Sequence, residues 1–289
     1  MPAARESYAQ RPDGSAVVFA LTDDRAGMPV LVCHGLADSR RCVRLLERAA
    51  QELGLLLIVP DRPGVGMTDP CRLERVRDWT HDAAVVLDVL SVDCAAVVGV
   101  SGGGAFAAAC AAALPARIRS LLLVSALGIP EWGTGGMAAG ERLSLSVATR
   151  TPSFGGWFLE RLATLARSSP RLFFEIATVE LPAADRFALA SGLPRQAFID
   201  GYLEAFRRGR AGMTQDLRLL TSPWGFPLES IRVPTRIHHG DADTTVPPEH
   251  ARHFARAIPG ARLRLHPGEG HFSLLARSAA EVLSDVLRA

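Results

Sequence analysis

Along the chain, short β-branched and leucine-rich runs alternate with longer segments whose apolar residues recur at helical spacing. The turn signal Asp13-Gly14 precedes "SAVVFAL" at 15–21, and "PVLVC" at Pro29 to Cys33 reads as the next strand. Arg41 to Leu53 then reads as helix, "LLLIV" at Leu55 to Val59 as strand and Trp79 to Leu90 as helix. "AAVVGV" at Ala95 to Val100 is again a strand, Phe106 to Leu114 a helix, and "IRSLLLVS" at Ile118 to Ser125 a strand. Runs that are apolar at every position are buried on both faces, which is the condition of a parallel sheet covered by helices. The rhythm stops near Gly128, and from there to Trp224 no run reads as a buried strand. Two stretches in between, "SFGGWFLERLATLAR" and "QAFIDGYLEAFRRG", read as amphipathic helices between Gly and Pro punctuation. The alternation resumes with "PTRIHHG" at Pro234 to Gly240, a helix over Pro248 to Ala257, "ARLRLH", and a final helix from Leu274 to Leu287. The pattern predicts an α/β fold: a mostly parallel central sheet flanked by helices, formed by residues 1–127 and 226–289, with a helical insertion at 128–225.

Composition narrows the chemistry. A chain of 289 residues with 48% apolar and 21% charged residues is globular and long enough for one large core with an excursion. The formal net charge is +2, so no field of one sign is available to attract nucleic acid or an anionic membrane, and neither is expected as a partner. Lysine is absent, which excludes a Schiff base or a P-loop. Five cysteines, Cys33, Cys42, Cys71, Cys94 and Cys110, show no CxxC or Cys/His metal spacing; Cys33 and Cys110 sit in apolar runs as core residues, and no metal is expected. The start "MPAARESYAQRPDG" lacks the apolar segment of a signal peptide, so a cytoplasmic location is the expectation.

The stretch "AAVVGVSGGGAFAAACAAAL", Ala95 to Leu114, carries the candidate chemistry. It is too rich in Ala and Gly for a membrane span, and its glycines miss the GxGxxG register of a dinucleotide loop. It does contain GxSxG, as Gly99-Val100-Ser101-Gly102-Gly103, between a strand and a helix. That is the context of a nucleophile elbow, where a serine oxygen stands exposed on a sharp turn. Such a serine needs a base and a group that orients it, following in the order Ser, acid, His. His271, in the Gly-rich turn of "PGEGHFSLL" before the last helix, is the candidate base. His250 and His253 are expected as solvated helix positions, and His266 as the end of a strand. For the acid, "GDADTTVPP" offers two; Asp243 is preferred, with Asp241 as turn-former and Glu131 a more distant alternative. Two backbone N–H groups must meet the developing oxyanion, and Gly102 with Leu36, in the loop "HGLADSR" after the strand "PVLVC", are the candidates. His34 is expected to brace that loop.

The ordered set "HGLADS", "DRPGVGMTDP", "GVSGGG", "HGDADTTVP" and "GEGHFS" resembles the α/β-hydrolase superfamily over nearly the whole chain, and is most similar to lidded members with a serine nucleophile. "PWGF" at Pro223 to Phe226 fits the junction from cap back to core in that family. The resemblance carries the triad onto Ser101, Asp243 and His271, and implies that Asp61 and Arg62 shape a turn and that no cofactor is needed. Serine at 101, where related dehalogenases and epoxide hydrolases carry aspartate, argues against those activities. The expected reaction is hydrolysis of an ester, lactone, thioester or similar acyl bond of a small-molecule substrate. The insertion would supply an apolar pocket, with Trp132, Trp157, Phe158 and Phe173, and His34 beneath, as candidate lining residues. The alternatives are a lyase, cyclase or acyltransferase using the same pocket, or a ligand-binding receptor with an idle triad.

Overall fold

A computed structural model describes residues 4–22 and 27–288; residues 1–3, 23–26 and 289, which the expected core includes, lie outside the described residues. Among the described residues eight strands form one sheet. In chain order they are β1 (Arg5–Gln10), β2 (Ala16–Leu21), β3 (Met28–Cys33), β4 (Leu55–Pro60), β5 (Ala95–Val100), β6 (Ile118–Val124), β7 (Thr235–Gly240) and β8 (Arg262–His266). The spatial order is β1-β2-β4-β3-β5-β6-β7-β8. β1 and β2 form an antiparallel hairpin, β2 runs antiparallel to β4, and every other pairing is parallel. β1 is the strand that hydrophobic patterning misses, because "RESYAQ" is a largely exposed edge with one buried position, Ala9.

The helices of the core are α1 (Val43–Leu53), α2 (Thr80–Val89) and α3 (Gly103–Ala113), and later α10 (Pro248–Ala257) and α11 (Ser273–Ser284). Between β6 and β7 come α4 (Ala139–Arg150), α5 (Pro152–Ser168), α6 (Pro170–Thr178), α7 (Ala183–Leu189), α8 (Gly192–Ala205) and α9 (Ala211–Leu220). The two faces of the sheet explain its unbroken apolar runs. Val30 and Val32 of β3 and Ala96 and Val98 of β5 pack with Leu46 of α1 and Leu274 of α11. Their neighbours Leu31, Cys33, Ala95 and Val97 face the other way, against Val86 of α2, Phe106 of α3 and Phe254 of α10.

The helical excursion has a core of its own. Ala163 and Ala166 of α5, Phe173 of α6, Tyr202 and Ala205 of α8 and Met213 of α9 pack together, with Val65 joining from the loop after β4. Ion pairs tie the excursion to the sheet domain: Arg40–Glu204 at 2.8 Å, Arg44–Asp200 at 2.5 Å and Arg62–Asp216 at 2.8 Å. The first and last of these are buried.

Helix α3 begins at Gly103, earlier than the expected Phe106. Its N-terminus is pressed against the end of β3. A Cβ on Gly103 would run into the Cys33 carbonyl oxygen and lie 2.6 Å from the His34 carbonyl oxygen. Glycine is required here for close approach, and Gly103→Ala is expected to destabilise the fold by about 3 kcal/mol or more, since strand and helix backbones must separate. Urea denaturation measures this; an unchanged midpoint would contradict the packing described.

Candidate active site

Ser101 sits between β5 and α3 with φ +53°, in the left-handed region that a non-glycine residue rarely adopts. Such a conformation costs about 1–3 kcal/mol and persists only where the surroundings enforce it. Here they do. The Ser101 N–H donates to the Val124 carbonyl at 3.0 Å, and the Ser101 carbonyl accepts from the N–H groups of Gly104 and Leu127, each at 3.0 Å. The turn is thereby pinned to β6, to α3 and to the strand-to-excursion loop, and the side chain is left free to point outward.

His271 lies in the turn before α11, and its Nε2 is 3.0 Å from Ser101 Oγ. Its Nδ1 is 2.8 Å from Asp243 Oδ2, so the arrangement calls for the tautomer that donates from Nδ1 and accepts on Nε2. Asp243, in the loop after β7, is fixed by its other oxygen, which accepts the N–H groups of Thr245 and Val246 at 2.9 and 2.8 Å. His239 adds to this: its Nε2 donates to the Val246 carbonyl at 2.8 Å and lies 3.4 Å from Asp243 Oδ2. Burial alone would raise the Asp243 carboxyl, but the charge of His271 and the hydrogen bonds from His239 and His271 reverse this and hold it well below the usual carboxylate range. Burial likewise works against charge on His271. The charge and hydrogen bond of Asp243, with the charges of Asp185 and Glu141, outweigh it and raise the imidazole above its ordinary value.

The loop after β3 packs on the serine. A Cβ on Gly35 would touch Ser101 Cβ at 3.4 Å, and the Leu36 nitrogen lies 3.2 Å from where a Cβ on Gly102 would be. The two backbone nitrogens expected at an oxyanion are therefore neighbours. What holds the loop is Arg62. Its guanidinium donates to the His34 carbonyl at 2.6 Å, to the Gly35 carbonyl at 2.8 Å and to Asp216 of α9 at 2.8 Å, and lies 4.6 Å from the centre of the Phe106 ring. With both carbonyls bonded to Arg62, the loop is fixed beside Ser101. Arg62→Met is expected to cost about 3–5 kcal/mol, because it strands the buried Asp216 carboxylate and two carbonyls. The double variant Arg62→Met/Asp216→Leu should recover part of that loss in urea titrations, and equal midpoints for wild type and Arg62→Met would contradict the assignment.

The sequence profile of the alpha/beta hydrolase fold family matches residues 28–277. The chain belongs to that family. An uncharacterized hydrolase of Bacillus subtilis strain 168, YcgS, is 27% identical over 277 residues, covering 95% of each chain. A 2-hydroxymuconate semialdehyde hydrolase of Pseudomonas sp. strain CF600 is 28% identical over 280 residues, covering 92% of this chain and 89% of that one. Among solved structures, an alpha/beta hydrolase fold protein from Nakamurella multipartita superposes with a TM-score of 0.72 at 25% identity, covering 96% of this chain and 99% of that one. The enol-lactonase of Burkholderia xenovorans LB400 superposes with a TM-score of 0.69 at 19% identity, covering 98% of this chain and all of that one, and shows the shared fold. Hydrolase chemistry is the activity this family membership and these relatives support.

Within this alpha/beta hydrolase, the other residues singled out by sequence are placed unevenly. Asp241 is exposed and accepts the Gly268 N–H at 2.7 Å, a turn contact, while Asp243 is the one that meets His271. His34 is fully buried, with Nδ1 2.9 Å from the Gly35 carbonyl. The aromatic residues expected around a pocket are scattered instead. Trp157 and Phe158 are exposed on α5, at 42% and 43%. Phe173 is buried in the excursion's core, 4.9 Å ring to ring from Tyr202. Trp132 stacks on His253 at 4.9 Å and meets Phe254 edge-on at 4.8 Å. His250 departs from its expected solvated position: it is buried on the inner side of α10, its Nδ1 accepts the Gly128 N–H at 2.9 Å, and burial lowers its pKa to about 4. Among the described residues no helix is long and apolar enough to cross a membrane.

Three contributors escaped the sequence reading. Phe198 of α8 meets Phe272 edge-on at 5.4 Å, bringing the excursion against the residue next to His271. His239 carries a signal that was available, since it ends a strand that leads into the acid loop. Asp185 carries none; it is a single acid inside a seven-residue helix.

Proposed function

We propose that this protein is a serine hydrolase that cleaves an ester, lactone, thioester or similar acyl bond of a small apolar substrate through an acyl-enzyme on Ser101. The observation that carries this reading is the continuous chain from Ser101 Oγ to His271 Nε2 at 3.0 Å and from His271 Nδ1 to Asp243 at 2.8 Å, set at a strained strand-to-helix turn. His271 takes the Ser101 proton as the oxygen attacks the substrate carbonyl. Asp243 holds the imidazole in the required tautomer and stabilises the imidazolium that forms. The Leu36 and Gly102 N–H groups meet the oxyanion, each lowering the barrier by about 3 kcal/mol. His271 then returns the proton to the leaving group, and water, deprotonated by the same base, hydrolyses the acyl-enzyme.

The helical excursion 128–225 acts as the cap over this site. Leu36, Leu220, Phe198 and Phe272 provide its apolar lining: the Leu220 Cδ1 lies 3.0 Å from the position of a Cβ on Gly102, and the two phenylalanines close the His271 side. No metal or redox cofactor enters this chemistry.

The test is a panel of p-nitrophenyl esters of increasing acyl length, with 2-hydroxymuconate semialdehyde added because relatives bear that activity in their names. Turnover of an ester by wild type that disappears in Ser101→Ala supports the reading, whereas turnover of the semialdehyde alone, which contains no ester or thioester, would contradict it in favour of carbon–carbon cleavage. Equal, slow rates for both proteins across the panel would count against it.

A further inference from the structure

The turn that carries His271 is held by a carboxylate from the excursion. Asp185, on α7, is fully buried. Its Oδ2 accepts the His271 N–H at 2.9 Å, and its Oδ1 accepts the N–H groups of Phe272 and Ser273 at 3.0 and 2.8 Å. These are unpaired donors at the start of α11, where the helix dipole also favours a negative charge. A single side chain more than eighty residues away in sequence thus caps the helix and grips the backbone of the base itself. The preceding residue is fitted to it: a Cβ on Gly270 would lie 2.5 Å from Asp185 Oδ1, and the Gly270 N–H donates to Ser273 Oγ at 2.8 Å.

A helix can be capped by its own N-terminal residues, and this one is not. No side-chain cap comes from Phe272, the residue at its N-cap position. The cap is instead supplied from the segment that packs over the site. Any displacement of α7 therefore withdraws three hydrogen bonds from residues 271–273 and leaves the His271 ring aligned by its hydrogen bonds to Asp243 and Ser101 and its edge-on contact with Phe272.

We propose that Asp185 is a positioning residue for His271: by gripping the 271–273 backbone it sets the imidazole against Ser101, so the base is in place only while α7 is docked. This rests on the acyl-enzyme reading for its kinetic test, though not for its structural one.

The kinetic test is the rate at which a fluorophosphonate modifies Ser101, measured against pH for wild type, Asp185→Asn, Asp185→Ala and Leu189→Ala. Leu189 is buried on the same helix and makes none of these contacts, so its variant reports general loosening of α7. His271 faces Asp243 from the loop after β7, Asp185 from α7 and Glu141 from α4, and only the second changes in the Asp185 variants. In Asn, an amide donor opposes one of the three N–H groups. The alkaline plateau is expected to fall at least about tenfold in both Asp185 variants, and the midpoint of the pH profile to move down because a negative charge near His271 is gone. Leu189→Ala should keep the wild-type midpoint and a plateau within about twofold of wild type. Wild-type plateaus and midpoints in folded Asp185 variants, or losses matched by Leu189→Ala, would overturn the proposal.

Wild-type hydrogen exchange supplies an arm that needs no variant. The amides of His271, Phe272 and Ser273 should exchange in step with those of α7. Fast exchange at 271–273 while α7 stays protected would overturn the proposal. If wild type failed to react with the fluorophosphonate, the acyl-enzyme reading would fall and the exchange result would still decide the role of Asp185.

Discussion

Ser101→Ala is expected to lower kcat for any ester that the wild-type protein turns over by a factor on the order of 10⁶, the loss measured when a triad nucleophile is removed. The reasoning is geometric. Only Oγ lies within 3.0 Å of the His271 nitrogen that must accept its proton, and the strained turn offers no second hydroxyl at that point. What survives should be the residual rate from oxyanion binding, about 10³ over the uncatalysed reaction. The substitution removes one hydroxyl from a half-buried position, so the unfolding free energy from urea titration should change by no more than about 1 kcal/mol. That combination, full stability with lost turnover, separates a chemical role from a structural one. Steady-state kinetics beside urea titration gives both numbers.

Asp243→Asn comes next in size, with kcat expected to fall by about 10⁴. Asparagine keeps the shape and can still accept from Thr245 and Val246, but its amide donates toward Nδ1 of His271. The imidazole proton then moves to Nε2, where it blocks acceptance from Ser101. The pH dependence changes as well. Activity requires neutral His271, whose pKa is raised by Asp243, so the wild-type rise in kcat/KM should have its midpoint above about 6.5, the ordinary histidine value. Asn removes both the charge and the hydrogen bond responsible, while burial, which lowers the value, remains. The midpoint of the residual activity should therefore drop. A midpoint unchanged between the two proteins would mean that another group controls the profile.

The parts of this protein that were legible in its sequence share a physical cause. Parallel strands buried on both faces give apolar runs, so β3 to β6 stand out, and Gly103 beside Ser101 is required by the close approach of α3 to β3. Ser101, Asp243 and His271 each sit in a loop at a strand end, and chain order narrows the candidates, while the Gly-rich turn singles out His271 and the choice between Asp241 and Asp243 needs the contact with His271. β1 was hidden because an edge strand with one buried position has no apolar alternation to read. The excursion was harder. Helical periodicity tells which residues share a face, not what that face meets: Trp157 and Phe158 lie exposed, while Phe173 fills the core of the excursion, which Val65 joins from the loop after β4. His250 differs from expectation for the same reason: arginines alternating along α10 suggest a solvated helix without telling which of its faces is buried, and His250 lies on the buried one. Asp185 and the Arg62–Asp216 pair depend on contacts more than eighty residues apart, which no local pattern encodes.

The most direct test of the account is to treat folded wild-type protein with a fluorophosphonate and map the adduct by peptide mass spectrometry. One adduct is expected, on the peptide that contains Ser101, with none in Ser101→Ala and a greatly slowed reaction in His271→Ala. An unmodified wild-type protein, or modification at another residue that persists in Ser101→Ala, would contradict it.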